Sequence, residues 1–313
     1  MDFLTAVFVT PFIEIYESPF FFMELVLVGL STGVLYSLVA LGFVLIFKAS
    51  GMFNFAQGAM VLFAALTLVG LMEHGVPLWA ALLLTMAVMV ALAFVVERFM
   101  LRHLVNQEGL ILFMATIGLN FILEGTGQLM WGSDVKRLEV GIPDQPFDIL
   151  GGKILLNTFD VTAAVIGALL VISLAVFFQK TPMGRALRAV ADDHQAALSV
   201  GIPLKTIWIA VWTIAGIVAL VAGIVWGAKS GVQFSLSLIA LKALPVLILG
   251  GFTSVPGAIV GGLIIGVGEK VAEGFWGPAF GGAIENWFAY MLALAFLVFR
   301  PQGLFGEKII ERV

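Results

Sequence analysis

Cysteine is absent from the 313 residues, which excludes disulfides, thiolate metal sites and cysteine nucleophiles. Charge is scarce: Asp, Glu, Lys and Arg make up 12% of the chain, against about 25% in an ordinary soluble domain. The net charge of −4 points to no nucleic-acid partner. The three histidines, His74, His103 and His194, have no ligand-like spacing, so neither a metal site nor a metal cofactor is expected. No Gly-x-x-x-x-Gly-Lys-Ser/Thr occurs, so the chain carries no phosphate-cradling loop of its own. No Gly-x-Ser-x-Gly, no His-Glu-x-x-His and no set of paired acids at one depth can be assembled, which argues against an enzyme.

What the chain has instead is apolar length: 61% of its residues are hydrophobic. Apolar windows fall at 24–47, 54–72, 77–97, 109–131, 157–178, 204–228, 233–250, 255–273 and 282–299. In lipid only helices and closed barrels satisfy the backbone, and barrel strands alternate every second residue. These windows do not alternate. The expected fold is an all-α polytopic membrane protein, a bundle of about 8–9 transmembrane helices. With the C-terminus inside, ten basic residues lie on the cytoplasmic side (Lys48, Arg98, Arg102, Lys180, Arg185, Arg188, Lys205, Arg300, Lys308, Arg312) and four outside (Lys136, Arg137, Lys153, Lys229). That bias sets the orientation. The start, MDFLTAVFVTPFIEIYESPFFF, has no basic region and reads as an amphipathic or partly inserted segment, not a cleaved signal.

Two hydrophilic stretches interrupt the apolar pattern. The first, 132–156, is turn-rich and reads as an exported loop with a hairpin. The second is QKTPMGRALRAVADDHQAALSVGIPLK, 179–205. Thr181 can cap a helix with Pro182 at its first position, and Met183, Leu187 and Val190 form an apolar stripe. Asp192 and Gln195 fit the start of a second short helix, which Gly201 and Pro203 end. Such a segment either lies on the membrane or docks a soluble partner.

The chain also echoes itself. GMFNFAQGAMV at 51–61 aligns with GFTSVPGAIV at 251–260: Gly51 on Gly251, Asn54 on Ser254, Gly58 on Gly257, Ala59 on Ala258 and Val61 on Val260. Paired interruptions in corresponding places point to a transporter's binding site, where unwound backbone lines a cavity. Asn54 equally suits a helix cap. Small residues four apart (Gly29 and Gly33, Gly223 and Gly227, Gly257 and Gly261, Gly262 and Gly266) suit close helix packing. Thr32, Tyr36, Ser37, Thr116 and Asn120 either bond to neighbouring helices or line a path. Among ionisable residues Glu24, Glu97 and Arg98 fall near window ends and are expected to snorkel, while Glu124 and Lys242 lie deeper.

GLSTGVLYSLVALGFVLIFKASGMFNFAQGAM resembles a segment of branched-chain amino acid ABC permeases of the LivH type. TPMGRALRAVADDHQAALSVGI resembles their cytoplasmic loop, and LGGFTSVPGAIVGGLIIGVGE and FRPQGLFGE their last third. The resemblance implies one transmembrane permease domain over 1–313. It divides into a first half (24–131), the exported loop (132–156), a cytoplasmic coupling segment (180–204), a second half (205–299) and a cytoplasmic tail (300–313). It implies an importer subunit with no cofactor, working in the inner membrane with a homologous LivM-like permease, two cytoplasmic ABC ATPases and an extracytoplasmic solute-binding protein. The coupling segment would dock in an ATPase through Arg185, Leu187, Arg188, Asp192, Asp193 and His194. The substrate pathway would include Tyr36, Asn54, Gln57, Gly58, Thr116, Asn120, Thr253, Ser254 and Gly257. Where the family often reads GMINFAHGE, this chain has Gln57 and Ala59, which brings urea or short amides in as alternative solutes beside hydrophobic amino acids. A stand-alone channel or ion-coupled carrier is the rival outside this class. The family's two halves are related by inversion, yet the charge count puts both broken segments on one side. One of 24–47 and 233–250 is then no ordinary crossing, and Lys242 points to the latter.

Overall fold

The computed structural model describes residues 3–104, 107–192 and 194–306, apart from the side chains of residues 192, 194 and 195. Two short helices, α1 (Phe3–Phe8) and α2 (Thr10–Glu17), precede α3 (Pro19–Ser50). Then come α4 (Gln57–Glu73), α5 (Leu78–Phe99) and α6 (Gly109–Trp131). A hairpin of β1 (Pro146–Ile149) and β2 (Ile154–Asn157) leads into α7 (Thr158–Lys180). After it lie α8 (Pro182–Asp192), α9 (His194–Ser199), α10 (Leu204–Ser230), α11 (Ile239–Gly250), α12 (Val255–Phe280) and α13 (Glu285–Phe299). Among the described residues, six helices are long and apolar enough to cross a membrane, and three apolar segments are shorter: Gln57–Glu73, Phe234–Gly250 and Glu285–Phe299. This is the expected all-α polytopic fold.

Many of the helices stop at or just before a glycine. Gly51, Gly132, Gly201, Gly231, Gly251 and Gly281 follow helix ends, all with positive φ. The hairpin turns through Leu150, Gly151 and Gly152, also at positive φ, pairing Phe147 with Leu156 and Asp148 with Leu155. α11 has only 12 residues. At 1.5 Å rise per residue that is about 18 Å, short of a core of about 30 Å. The Phe234–Leu238 stretch before it is a 3-10 turn, and Pro245 sits inside it.

The chain splits into two compact units that interleave along the sequence. The first comprises 1–37, 141–169 and 242–313; the second comprises 38–140 and 170–241. α3 and α7 each run from one unit into the other.

In the second unit, α10 packs on α4 and α5, and α4 on α6. α4 is buried from Gln57 to Gly70. Gly223 permits this closeness: a Cβ there would lie 2.7 Å from the Val61 carbonyl oxygen. The Lys136–Val232 bridge and the Lys136–Glu73 ion pair tie the 132–140 stretch to the ends of α10 and α4.

In the first unit, α12 is the centre. α3 crosses it at glycines: a Cβ on Gly266 would meet the Gly33 nitrogen at 2.4 Å, and one on Gly29 the Val267 Cα at 2.6 Å. Ser37 Oγ lies 2.8 Å from the Gly33 carbonyl and 3.1 Å from that of Ile259. α1 and α2 lie against the far end of α12, with Phe12 edge-on to Trp276 and the Trp276 indole N–H donating to the Val7 carbonyl. Glu24 accepts from the Leu155 N–H, fixing the hairpin to α3.

Candidate functional site

The two echoed segments have the same local construction. Each follows the last turn of an apolar helix, with Gly51 N–H donating to Phe47 O and Gly251 N–H to Leu247 O, both at 2.8 Å. Each then turns through a polar residue that accepts from a backbone N–H two or three residues on: Ser254 thereby caps α12, whereas Asn54 closes a turn just ahead of α4. Asn54 Oδ1 accepts from the Ala56 N–H at 3.2 Å, and Ser254 Oγ accepts from the Gly257 N–H at 3.0 Å. Each has a glycine where no Cβ fits. A Cβ on Gly58 would lie 2.0 Å from Ser237 O, and one on Gly257 would lie 2.1 Å from Gly250 O.

The first segment is closed and buried. Asn54 and Gln57 are both 0% exposed. Asn54 Nδ2 donates to Gln57 Oε1 at 3.2 Å, and Gln57 Nε2 donates to the Ala215 carbonyl of α10 at 3.4 Å. The amides that drew attention in the sequence therefore satisfy one another inside the second unit. Ala59 is equally buried. Thr116 of α6 stitches the segment in place: its hydroxyl accepts from the Phe55 N–H at 3.2 Å and lies 3.1 Å from the Phe53 carbonyl. Asn120, one turn further along α6, is half-buried. Phe43 stacks on Phe53 with ring centroids 5.0 Å apart.

The second segment is more open, with Thr253 and Ser254 half-buried. The chain after α13 folds back onto it. Leu304 N–H donates to Leu249 O at 2.7 Å and Phe305 N–H to Gly250 O at 3.2 Å, satisfying carbonyls that the end of α11 leaves without helical partners. Gly303, at positive φ, lies so close that a Cβ would be 2.7 Å from the Gly251 nitrogen.

The hydrophilic stretch at 182–199 forms two helices, as its caps predict. Thr181 Oγ1 accepts from the Gly184 N–H, and the α8–α9 break falls beside Asp192. Leu187 and Val190 are buried within the chain, at 2% and 0% exposure, and α8 packs on α10. The apolar stripe thus anchors α8. Arg185 is exposed, and Arg188 is half-buried with its guanidinium donating to the Phe178 carbonyl. Asp193 and the side chains of Asp192 and His194 lie outside the described residues.

Tyr36 is buried, and its hydroxyl donates to Glu269 Oε2 at 2.9 Å. The sequence reading does not single out Glu269. Its signal was present all the same: a Glu-Lys pair interrupts a glycine-rich apolar run. Glu97, expected to snorkel, is instead 3% exposed and faces Arg102 at 3.8 Å.

Of the residues grouped as a pathway, Tyr36, Thr253, Ser254 and Gly257 belong to the first unit. Asn54, Gln57, Gly58, Thr116 and Asn120 belong to the second.

Comparison with known proteins places these features. The chain is 30% identical to the high-affinity branched-chain amino acid transport system permease protein BraD of Pseudomonas aeruginosa, over 96% of this chain and 99% of the relative. It is 26% identical to the LivH permease protein of Salmonella typhimurium, over 95% and 99% of the two chains. It is 28% identical to the probable LivH permease protein of Methanocaldococcus jannaschii, over 86% and 88%. Residues 25–300, from the first turns of α3 to the end of α13, match the family described as branched-chain amino acid transport system / permease component, and the chain belongs to that family.

Proposed function

We propose that this chain imports branched-chain or similarly hydrophobic amino acids, drawing its energy from separate subunits. It is a multi-pass plasma-membrane permease and a transport subunit, not an enzyme. The observation that carries the substrate reading is the collinear match to BraD over 99% of that protein's length. The partners inferred are a homologous LivM-like permease, two cytoplasmic ABC ATPases and a solute-binding protein that delivers cargo from outside.

In this reading the binding protein docks on the outer loops, including the 146–157 hairpin, and releases cargo between the two permeases. ATP closes the ATPases, and α8–α9 carry that movement to α10. Arg185 offers the exposed contact, while Leu187 and Val190 transmit force because they are packed against the chain itself. The bundle then rocks between outward- and inward-open states. Thr253 and Ser254, both half-buried, supply polar groups along the path, and the 251–254 segment gives unwound backbone. The burial of Gln57 and Ala59 removes the reason for preferring urea or short amides, since both positions serve packing.

The test is uptake by membrane vesicles that carry the complete assembly, with binding protein supplied outside. Radiolabelled leucine accumulates above the external level and urea does not. Accumulation of urea without leucine contradicts the reading.

A further inference from the structure

Glu269 is a carboxylate within α12, one of the helices long and apolar enough to cross a membrane. It is 1% exposed in α12, and its hydrogen bond comes from Tyr36 of α3. Each of the two residues is fourteen positions from its helix's end at a break, Ser50 for α3 and Val255 for α12. At 1.5 Å per residue that is about 21 Å, within a core of about 30 Å.

Packing does not call for a charge there. The same two helices already meet through Gly29, Gly33, Gly262 and Gly266, and through the Ser37 hydroxyl. Burying a carboxylate costs several kcal/mol unless a good partner offsets it, so an apolar residue or an amide of similar volume would hold the helices with less expense. Among the described residues no Lys or Arg nitrogen lies within the 4.0 Å of an ion pair with Glu269. Lys270, its neighbour in sequence, is turned to Glu285 at 2.6 Å. Lys242 of α11, Lys270 and Glu285 all act on Glu269 through space. A carboxylate inside a span, steadied by a neutral phenol and out of contact with any cation, marks a substrate or ion path more readily than a structural tie.

We propose that Glu269, positioned by Tyr36, is the intramembrane counter-ion that receives the ammonium group of an α-amino acid during its passage. Tyr36 is a positioning residue: between passages its hydroxyl holds the carboxylate in one rotamer. The inference rests on the amino-acid reading above and deepens it, since it assigns the cargo's cation a partner in this chain.

The experiment uses the complete assembly in proteoliposomes and reads leucine imported per ATP hydrolysed, together with the melting temperature of the purified assembly. Glu269→Gln keeps the volume and an acceptor for the Tyr36 hydroxyl but removes the charge. The expected result is a fall of at least tenfold in leucine per ATP, with a melting temperature no lower than that of the unmodified protein. Tyr36→Phe falls by less, and the double variant falls no further than Glu269→Gln alone, because Tyr36 acts through the carboxylate. An unchanged ratio in Glu269→Gln overturns the inference. So does failure of that variant to assemble, which would make the charge a packing element. Failure of the unmodified assembly to import leucine would instead overturn the amino-acid reading itself.

Discussion

Gly266 and Gly118 are both helical glycines, and their surroundings give them opposite roles. A Cβ on Gly266 would meet the backbone of Gly33 and Gly29 at 2.4 and 2.5 Å, whereas one on Gly118 would meet nothing within 4 Å. Gly266→Ala should lower stability by about 1–3 kcal/mol, since it overpacks a backbone contact that cannot yield like a flexible side chain. Gly118→Ala should raise it by up to about 1 kcal/mol, by stiffening the helix. Thermal unfolding of the two purified variants checks the pair. Gln57→Leu tests the buried amide network. It leaves Asn54 Nδ2 without the acceptor at 3.2 Å, and the loss should be about 1–3 kcal/mol. A drop in uptake at unchanged melting temperature would instead place Gln57 in the path. At this scale the sequence was legible in chemistry but not in direction. It offers Asn54 both as a cap and as a cavity group, whereas the buried side chain closes a turn onto the Ala56 N–H ahead of α4 and bonds Gln57. Glu97 was read as snorkelling because it stands near a window's end. It is 3% exposed instead, with Arg102 facing it at 3.8 Å.

At the scale of elements, the apolar windows and punctuating glycines located every long helix. The boundaries least well placed are the end of α12, at Phe280 instead of residue 273, and the start of α3, at Pro19 instead of residue 24; Glu273 and Glu24 look like termini but bond to backbone N–H groups at Ala283 and Leu155. The short α11 agrees with the suspicion that Lys242 raised about 233–250. The fold-back of residues 303–305 onto α11 could not be read from the sequence, because it is made by backbone groups that every residue carries. The α8 helix was legible in its caps and stripe, but the identity of what covers the stripe was not. That distinction yields a paired prediction. Arg185→Glu, on the exposed side, should cut binding-protein-stimulated ATP hydrolysis at least tenfold while leaving the melting temperature within about 2 °C, since surface changes are usually within about 0.5 kcal/mol. Leu187→Asp, at 2% exposure, should lower the melting temperature first, because it buries an unpaired charge. Equal effects of both variants on hydrolysis, with neither affecting stability, would contradict the packing role assigned to Leu187.

For the whole molecule, the interleaving of the two compact units matters more than the order of the helices. The echoed breaks fall in different units, and α3 and α7 run through both. The family match across 25–300 makes the chain the permease component of a transport system, and the energy source proposed for it lies in other subunits. The most direct measurement is leucine uptake by proteoliposomes, comparing this chain reconstituted alone with the full assembly, in the presence of binding protein and with or without internal ATP. Accumulation is predicted only with the full assembly and ATP. Accumulation by the chain alone, or by the assembly without ATP, would contradict the account.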